Sequence, residues 1–300
     1  MSEEMKEIAE NTEEAVNGKT KKEKKKKSVG QEILEWVLTI VVAVVAALVI
    51  RFFIFEPVRV DGHSMDDTLA DGEIMFVTKY DYASAWLTLP WQKNDVKENA
   101  PRLATGFSTP QRFDVVICRY PGRGDTNFVK RVIGLPGDEL YIEDGYLYVN
   151  GQKYDEPYIN NDYRVAGGSN GWRFEKSRVP VRGDVIEMKD GAILLNGEAF
   201  PDDVQYYGIL DKNRRFMVWG GRILFENEEG ARQYVTEDRK LTVEQDNYLV
   251  MGDHRNNSND SRSQGCITRD MIVGHVRQVL FPFGKFRPVK NGLDVKAGEN

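Results

Sequence analysis

The longest apolar segment of the chain sets the first limit on how it can fold. Within residues 36–55 only Thr39 and Arg51 are polar, so twenty residues form an almost uninterrupted hydrophobic run. About twenty helical residues span the hydrocarbon core of a bilayer, and the run therefore predicts one transmembrane helix over residues 31–56. A buried core helix is usually shorter, and a cleaved signal peptide would be followed by small residues, whereas residues 51–57 are bulky.

The charged residues before this run predict its orientation. Residues 2–14 contain six Glu, residues 19–27 contain seven Lys, and neither stretch has the apolar residues that a core needs. Residues 1–30 are therefore interpreted as a disordered charged tail. Because lysines beside a span stay in the cytoplasm, we expect a single-pass protein of the cell membrane, with residues 57–300 on the extracytoplasmic side.

The residues after the span predict a mainly β fold. Short runs of strand-forming residues are bounded by Gly, Asn, Asp and Pro, and no long amphipathic helix is evident. These runs are Ile74 to Thr78, Asp114 to Cys118, Leu140 to Ile142, Leu147 to Val149 and Tyr248 to Met251. We expect one β-rich extracytoplasmic domain over residues 57–300.

An internal repeat lies within this domain. The sequences GDELYIEDGYLYVNG, residues 137–151, and GDVIEMKDGAILLNG, residues 183–197, share Gly, Asp, Asp, Gly, Asn and Gly at equivalent places. Each predicts a β-hairpin, with Asp-Gly at the first turn and Asn-Gly at the next reversal, because these pairs tolerate positive φ. The second copy lies in a segment of about residues 151–243, interpreted as a hairpin insert that elaborates the sheet without chemistry of its own.

Charge and cysteine content narrow the function classes. The chain has 41 basic and 47 acidic residues, a net charge of −6, so a general basic surface for nucleic acid is not expected. Two cysteines, Cys118 and Cys266, are too few for a disulfide scaffold, and they lack the companion spacings of a zinc site. We expect no metal or other cofactor. Whether the two cysteines form a single disulfide is left open by their spacing.

Three short segments contain residue types that carry hydrolytic chemistry. The serine segment (VDGHSMDDTL, residues 60–69) presents Ser64 in a glycine-containing turn. The lysine segment (NFVKRVIGLPGD, residues 127–138) sets Lys130 among apolar residues, and the polar segment (MGDHRNNSNDSR, residues 251–262) is a dense cluster of charges and amides. Each alone is most often structural: a turn serine, an edge-strand lysine, a hydrogen-bonded loop.

Together, in this order and after a membrane span, the segments resemble the bacterial type I signal peptidases. That family has boxes of the form G-x-S-M-x-P-T-L, K-R-V-x-G-x-P-G-D and G-D-N-R-x-N-S-x-D-S-R, and residues 113–117 resemble its strand box. Two positions depart from the pattern, Asp67 in place of Pro and His254 in place of Asn. The first could alter the turn that presents Ser64. Neither departure removes a reacting group.

A serine hydroxyl needs a base, and the three histidines, at positions 63, 254 and 275, show no pattern of a Ser-His-Asp triad. A lysine can act as base when it is neutral, and apolar neighbours favour the neutral amine. Lys130 is therefore the candidate base and Ser64 the candidate nucleophile. The Ser64 backbone N–H would meet the oxyanion, and Gly62 stands where some family members have a second hydroxyl donor.

The resemblance implies further roles. Ser258 would orient the Lys130 amine, and Gly62 and Met65 would lie at the substrate. Four residues would support the site: Arg131, Asp253, Asp260 and Arg262. The implied function is a membrane-bound serine endopeptidase that cuts signal peptides from secretory preproteins after an Ala-x-Ala type site.

Two other functions fit part of the pattern. A self-cleaving Ser/Lys protease of the repressor type would need a DNA-binding domain and no membrane span. A membrane-tethered binding module could keep the fold without activity, although Ser64, Lys130 and Ser258 together argue against it. The lipid bilayer is expected as a second contact, because the apolar segment at residues 85–91 contains Trp86 and Trp91 and resembles a loop that dips into the membrane.

Overall fold

A computed structural model of the chain describes residues 28–50, 54–66, 68–82, 85–86, 102–104, 108–124, 126–164, 176–211, 214–227, 230–235 and 240–291. For residues 85–86 and 102–104 only the backbone is described. The chain divides into two units between Leu48 and Val49. The first unit contains a long helix, and the second contains the β strands.

Helix α1 (Val29–Val49) is long and apolar enough to cross a membrane, by its length and composition. It begins with a capping box, since the Ser28 N–H donates to Gln31 Oε1 at 3.2 Å and the Gln31 N–H donates to Ser28 Oγ at 3.3 Å. Its start lies two residues before the predicted span, and residues 55–56, which we assigned to the span, belong to a strand. Pro57 explains the extended backbone of Glu56, because the residue before a proline disfavours helical backbone.

The second unit is built from twenty-two strands among the described residues, and the prediction of a mainly β fold is confirmed. The first eleven are β1 (Phe55–Arg59), β2 (Ile74–Thr78), β3 (Ala85–Trp86), β4 (Arg102–Ala104), β5 (Val115–Cys118), β6 (Phe128–Gly134), β7 (Glu139–Glu143), β8 (Tyr146–Val149), β9 (Gln152–Tyr154), β10 (Lys176–Arg178) and β11 (Val185–Lys189). The others are β12 (Ala192–Leu195), β13 (Glu198–Ala199), β14 (Val204–Asp211), β15 (Arg214–Trp219), β16 (Arg222–Asn227), β17 (Arg232–Tyr234), β18 (Lys240–Thr242), β19 (Asn247–Met251), β20 (Ile267–Thr268), β21 (Ile272–Phe281) and β22 (Arg287–Pro288). A short helix, α2 (Ser261–Gln264), begins within the last two residues of the polar segment.

Four sheets contain these strands. The first has the order β1-β2-β21-β5-β6-β19-β20, with β22 paired to β21. The second has the order β17-β16-β15-β14-β10-β7-β8-β9, the third β13-β12-β11-β18, and β3 pairs with β4. The first sheet brings together the lysine segment in β6 and the start of the polar segment at the end of β19. The serine segment follows β1, at the edge of the same sheet.

The internal repeat forms the two predicted hairpins. β7 pairs with β8 and β11 with β12, and the turn residues Asp144 and Asp190 have φ of 49° and 51°. The repeated Asn side chains also have one function, since Asn150 Nδ2 donates to Asp138 Oδ1 at 2.8 Å and Asn196 Nδ2 donates to Asp184 Oδ1 at 2.9 Å. A hydrogen bond between an aspartate and an asparagine at equivalent positions therefore closes each hairpin.

The cysteines are both free and buried. Cys118 packs in one hydrophobic cluster and Cys266 in another, so no disulfide joins them. Burial raises the pKa of the Cys118 thiol to about 12, and the thiol is therefore neutral at physiological pH.

Candidate active site

The lysine segment lies on an inner strand of the first sheet. Lys130 of β6 is in register with Val116 of β5, and its side chain is only 2% exposed. Its Nζ donates to Ser64 Oγ at 2.7 Å and to the backbone oxygen of Val129 at 2.8 Å. Burial lowers the pKa of this amine, because an ammonium loses its hydration there. The structure thus joins a buried amine, shifted toward its neutral form, directly to a serine hydroxyl.

The serine segment is a turn held at both ends. Gly62 has a φ of +99°, in the left-handed region, and its N–H donates to Asp71 Oδ1 at 2.9 Å. The Ser64 carbonyl accepts from the His254 N–H at 3.1 Å. The Ser64 N–H donates no hydrogen bond to the described residues, so it is available to an oxyanion that develops beside Oγ.

Met65 lies beneath this turn. Its side chain is 2% exposed and packs in a hydrophobic cluster with Val60, Leu69 and Met75. The structure therefore places Met65 in the core under the serine rather than on an open surface, whereas Gly62 is partly exposed. A contact of either residue with substrate stays a prediction.

The polar segment approaches Ser64 through Gly252. A Cβ atom at Gly252 would lie 2.3 Å from Ser258 Oγ and 2.4 Å from the Ser64 carbonyl oxygen, so only glycine fits between them. Ser258 Oγ is buried and makes no hydrogen bond of regular geometry among the described residues, and none joins it to Lys130. The predicted orienting serine is thus beside the serine turn, but its contact with the amine is not formed here.

Arg131 and Asp253 form a fully buried ion pair behind the site. Arg131 Nε and Nη2 donate to the two carboxylate oxygens of Asp253 at 2.9 and 2.7 Å. Arg131 Nη1 also donates to the backbone oxygens of Phe113 and Lys290, and the Thr68 hydroxyl donates to Asp253 Oδ2 at 2.6 Å. The pair links the lysine segment to the polar segment and to the end of the serine segment.

Asp260 and Arg262 form a second pair within the polar segment. Arg262 Nε and Nη2 donate to the two carboxylate oxygens of Asp260, both at 2.8 Å. The Gly252 N–H also donates to Asp260 Oδ2 at 3.0 Å, and the carboxylate caps helix α2. Burial raises the pKa of Asp260, but the Arg262 guanidinium and these donors outweigh it, so the pKa lies below its usual range.

His254 has contacts that the sequence analysis did not anticipate. Its ring stacks on Tyr163 with centroids 3.7 Å apart, and Nδ1 lies 3.0 Å from the His63 backbone oxygen and 3.2 Å from Asp66 Oδ2. From the sequence, His254 is a departure from the family pattern that removes no reacting group. It touches no reacting atom, yet its ring and its backbone N–H both hold the turn that contains Ser64. Only its departure from the family pattern marked it in the sequence.

A second buried pair was also not anticipated. Arg255 binds the Glu156 carboxylate through both Nη atoms, and the Tyr158 hydroxyl donates to Glu156 Oε1 at 2.5 Å. Glu156 lies about a hundred positions before its partner and belongs to no motif, so the sequence offered no signal for this contact. The pair ties the polar segment to the loop after β9.

Comparison with known proteins identifies the family of the chain. The sequence matches the family described as "Signal peptidase, peptidase S26" over residues 33–177 and 169–281. The chain belongs to this signal peptidase family. It is similar to signal peptidase I T of Bacillus subtilis, with 32% identity covering 92% of this chain and 99% of the relative. It is also similar to signal peptidase IB of Staphylococcus aureus, with 28% identity covering 86% and 94% of the two chains.

Among solved structures, a signal peptidase I from Enterococcus faecalis matches with 22% identity and a TM-score of 0.28, covering 56% of this chain and 96% of that chain. Membership of the family makes the chain a peptidase, as the three segments predicted, and the resemblance is confirmed. Asp67 lies outside the described residues, as does the predicted membrane-dipping loop apart from the backbone of residues 85–86.

Proposed function

We propose that this signal peptidase is a membrane-anchored serine endopeptidase that cuts preproteins after an Ala-x-Ala type site, with Ser64 as nucleophile and Lys130 as general base. The observation that carries the proposal is the 2.7 Å contact between Ser64 Oγ and a buried Lys130 Nζ. Burial favours the neutral amine, and only the neutral amine can accept a proton.

In the first half-reaction, neutral Lys130 Nζ takes the proton of Ser64 Oγ while Oγ forms a bond to the scissile carbonyl carbon. The carbonyl electron pair moves onto its oxygen, where the Ser64 N–H donates a hydrogen bond to the oxyanion. Collapse of this intermediate breaks the C–N bond, and the Lys130 ammonium returns the proton to the leaving amine. The signal peptide is then held as an ester of Ser64.

In the second half-reaction, water replaces the amine. Lys130 takes a proton from the water as its oxygen bonds to the ester carbon, and the same proton returns to Ser64 Oγ when the C–O bond breaks. The signal peptide leaves as a carboxylate. Both halves use the same two side chains, so no metal or organic cofactor takes part in this scheme.

The position of Ser64, in the turn beside the first sheet, favours an extended substrate. β1 is an edge strand of that sheet, and the serine segment follows it directly. An edge strand offers backbone N–H and C=O groups to an added strand, and alternate substrate side chains would then point into the protein. The side chains at the first and third positions before the cut would be two such inward-pointing side chains, and small ones would fit there.

We further propose that α1 is a single transmembrane span with the lysine cluster on the cytoplasmic side. The family acts on exported preproteins, so the catalytic unit would face the extracytoplasmic side. Protease added to intact spheroplasts should then digest the catalytic unit and leave a tag before residue 28 protected. Protection of the catalytic unit would reverse this topology.

Cleavage of a secretory preprotein by the full-length chain in detergent tests the activity. Ser64→Ala should reduce turnover by about 10⁴-fold or more, whereas Ser108→Ala, which removes an exposed hydroxyl elsewhere, should leave it unchanged. Lys130→Arg should also be inactive, because a guanidinium stays protonated. Near wild-type turnover of Lys130→Arg would eliminate the Ser/Lys mechanism.

The role of Ser258 is tested separately. If its hydroxyl orients the amine in the substrate complex, Ser258→Ala should lower kcat by about 100-fold and leave cleavage above the level of Ser64→Ala. Equal loss in the two variants would make Ser258 a reacting group instead.

A further inference from the structure

A groove of about 710 Å³ opens between the polar segment and the hairpin β15–β16 of the insert. Five arginines line it, and the only acid in its described lining is Glu226. The other described lining residues are Asn, Ser, Gln and Gly, together with Pro121. The arginines are Arg123, Arg215, Arg232, Arg255 and Arg262. A groove with this lining suits a polar, negatively charged ligand rather than an apolar one.

Three of the arginines already have a carboxylate partner. Arg255 pairs with Glu156 and Arg262 with Asp260, both beneath the groove, and Arg215 Nη2 lies 2.6 Å from Glu226 Oε2. Three carboxylates against five guanidiniums leave two positive charges within the described residues. The described lining of the groove is therefore cationic in a chain whose net charge is −6.

The two remaining guanidiniums are also exposed. Arg123 Nε donates to the neutral Gln264 side chain at 3.0 Å. Arg232 shares Glu226 with Arg215 at the longer distance of 3.6 Å, and its side chain is 67% exposed. A guanidinium presents five donors in a planar fork, so each can take a carboxylate from a ligand without leaving a buried charge unpaired.

The groove lies next to the candidate reacting pair. Ser258, which lines it, and the Ser64 carbonyl oxygen both lie within 2.4 Å of the point where a Cβ of Gly252 would be. The groove therefore begins beside the serine turn, where a chain bound at Ser64 would meet it. On the proposed function, that chain is a preprotein.

The chemistry of a preprotein selects which side of the cut enters. A signal peptide has a positively charged start, an apolar centre and small residues at the cut, and none of these is anionic. We propose that the groove binds acidic residues of the mature segment just after the scissile bond. The enzyme would then prefer Asp or Glu within the first several residues of the mature protein, and the insert would contribute to specificity through Arg232.

The test compares two peptides that share one signal side and differ only after the cut, with Asp and Glu in one and Asn and Gln in the other. With full-length enzyme in low-salt detergent, the acidic peptide should have a KM about 3- to 10-fold lower and an equal kcat, because the contact is the same in ground and transition states. The ratio should fall toward one as NaCl is raised, since exposed charges are screened.

Charge variants make the test specific to the groove. Arg123→Glu/Arg232→Glu should invert the preference, so that a peptide with Lys after the cut has the lower KM. The control Arg222→Gln/Lys189→Gln removes two exposed insert charges outside the groove and should keep the wild-type ratio. A preference that the charge-reversal variant keeps would overturn the proposal.

Failure of this proposal is distinct from failure of the proposed function. If both peptides are cut equally well by the wild type, the groove does not select acidic residues, and the enzyme is still a signal peptidase. If neither peptide is cut while a full preprotein is, the short peptides are replaced by preproteins with the same substitutions.

Discussion

Asp253→Asn is the substitution that most directly tests how the site is held. It replaces one carboxylate oxygen by an NH₂ group and leaves the shape of the side chain unchanged. The fully buried Arg131 guanidinium then keeps its donors to two backbone oxygens but loses the compensating negative charge. Whichever carboxylate oxygen is replaced, the amide nitrogen can only donate, so it faces one of the two Arg131 donors.

The expected loss of stability follows from this contact. Removing one partner of a buried ion pair costs about 3–5 kcal/mol, because the remaining charge cannot be solvated. The two backbone acceptors of Arg131 favour the lower end, about 3 kcal/mol. For a unit of this size each kcal/mol lowers the melting temperature by about 2–4 °C, so Tm should fall by at least about 6 °C.

Thermal unfolding of the full-length chain in detergent, followed by far-UV circular dichroism, measures this change. Asp211→Asn is the matched control, since it breaks an exposed pair with Arg214 and should cost less than about 1 kcal/mol. Adding Arg131→Met to Asp253→Asn completes a double-mutant cycle. The reasoning is refuted if the two losses simply add, or if Asp253→Asn melts within 2 °C of the wild type, since the buried pair would then be energetically silent.

Substitutions at three further positions give distinct readouts. Lys130→Met should abolish cleavage yet raise Tm at neutral pH. Burial lowers the lysine pKa below its ordinary 10.5, so the buried amine reduces the stability of the folded chain at lower pH. The gain in Tm should therefore shrink as pH rises toward 10.5, which melting at pH 7 and pH 10 would measure. His254→Ala should lower kcat by about 10-fold with little change in KM, and His254→Asn, which keeps a side-chain donor, should recover part of it, as steady-state kinetics would show. Arg262→Gln should leave the negative charge of Asp260 uncompensated and so raise the pKa of Lys130. The rise of kcat/KM with pH should then shift to higher pH. An unchanged pH profile of kcat/KM in a folded variant would contradict this.

The fold was predictable where local chemistry alone decides it. Tight hairpin turns require positive φ at two successive residues, which Asp-Gly and Asn-Gly pairs tolerate, and the hairpins of the repeat form where these pairs stand. The order of strands in the sheets was not predictable, because β21 lies between β2 and β5 although some 150 residues separate it from β5. Pairings of this kind depend on the packing of the whole domain, and no periodic pattern records them.

The candidate site was predictable to a similar degree. Residue types in the three segments pointed to Ser64 and Lys130, and the structure joins them by a hydrogen bond. The sequence could not show that Glu156 pairs with Arg255, since a contact across a loop leaves no spacing signal. It also could not show that the His254 ring stacks on Tyr163 and contacts the serine turn, because such contacts leave no pattern in the sequence.

The ion pairs around Lys130 also bear on its proton affinity. Burial lowers the pKa of the amine, whereas the nearby carboxylates of Asp260 and Asp253 raise it and the Arg262 guanidinium lowers it. A bare carboxylate close to the amine would stabilise the ammonium and remove the base. Each carboxylate is instead bound by a guanidinium, while Asp260 still accepts from the Gly252 N–H that positions the loop. Apolar replacements of both pairs could match their stability, but they would lose the hydrogen bonds that hold the polar segment against Ser64. The arginines therefore let the site use carboxylates as structural acceptors while the pKa of Lys130 stays below its ordinary value.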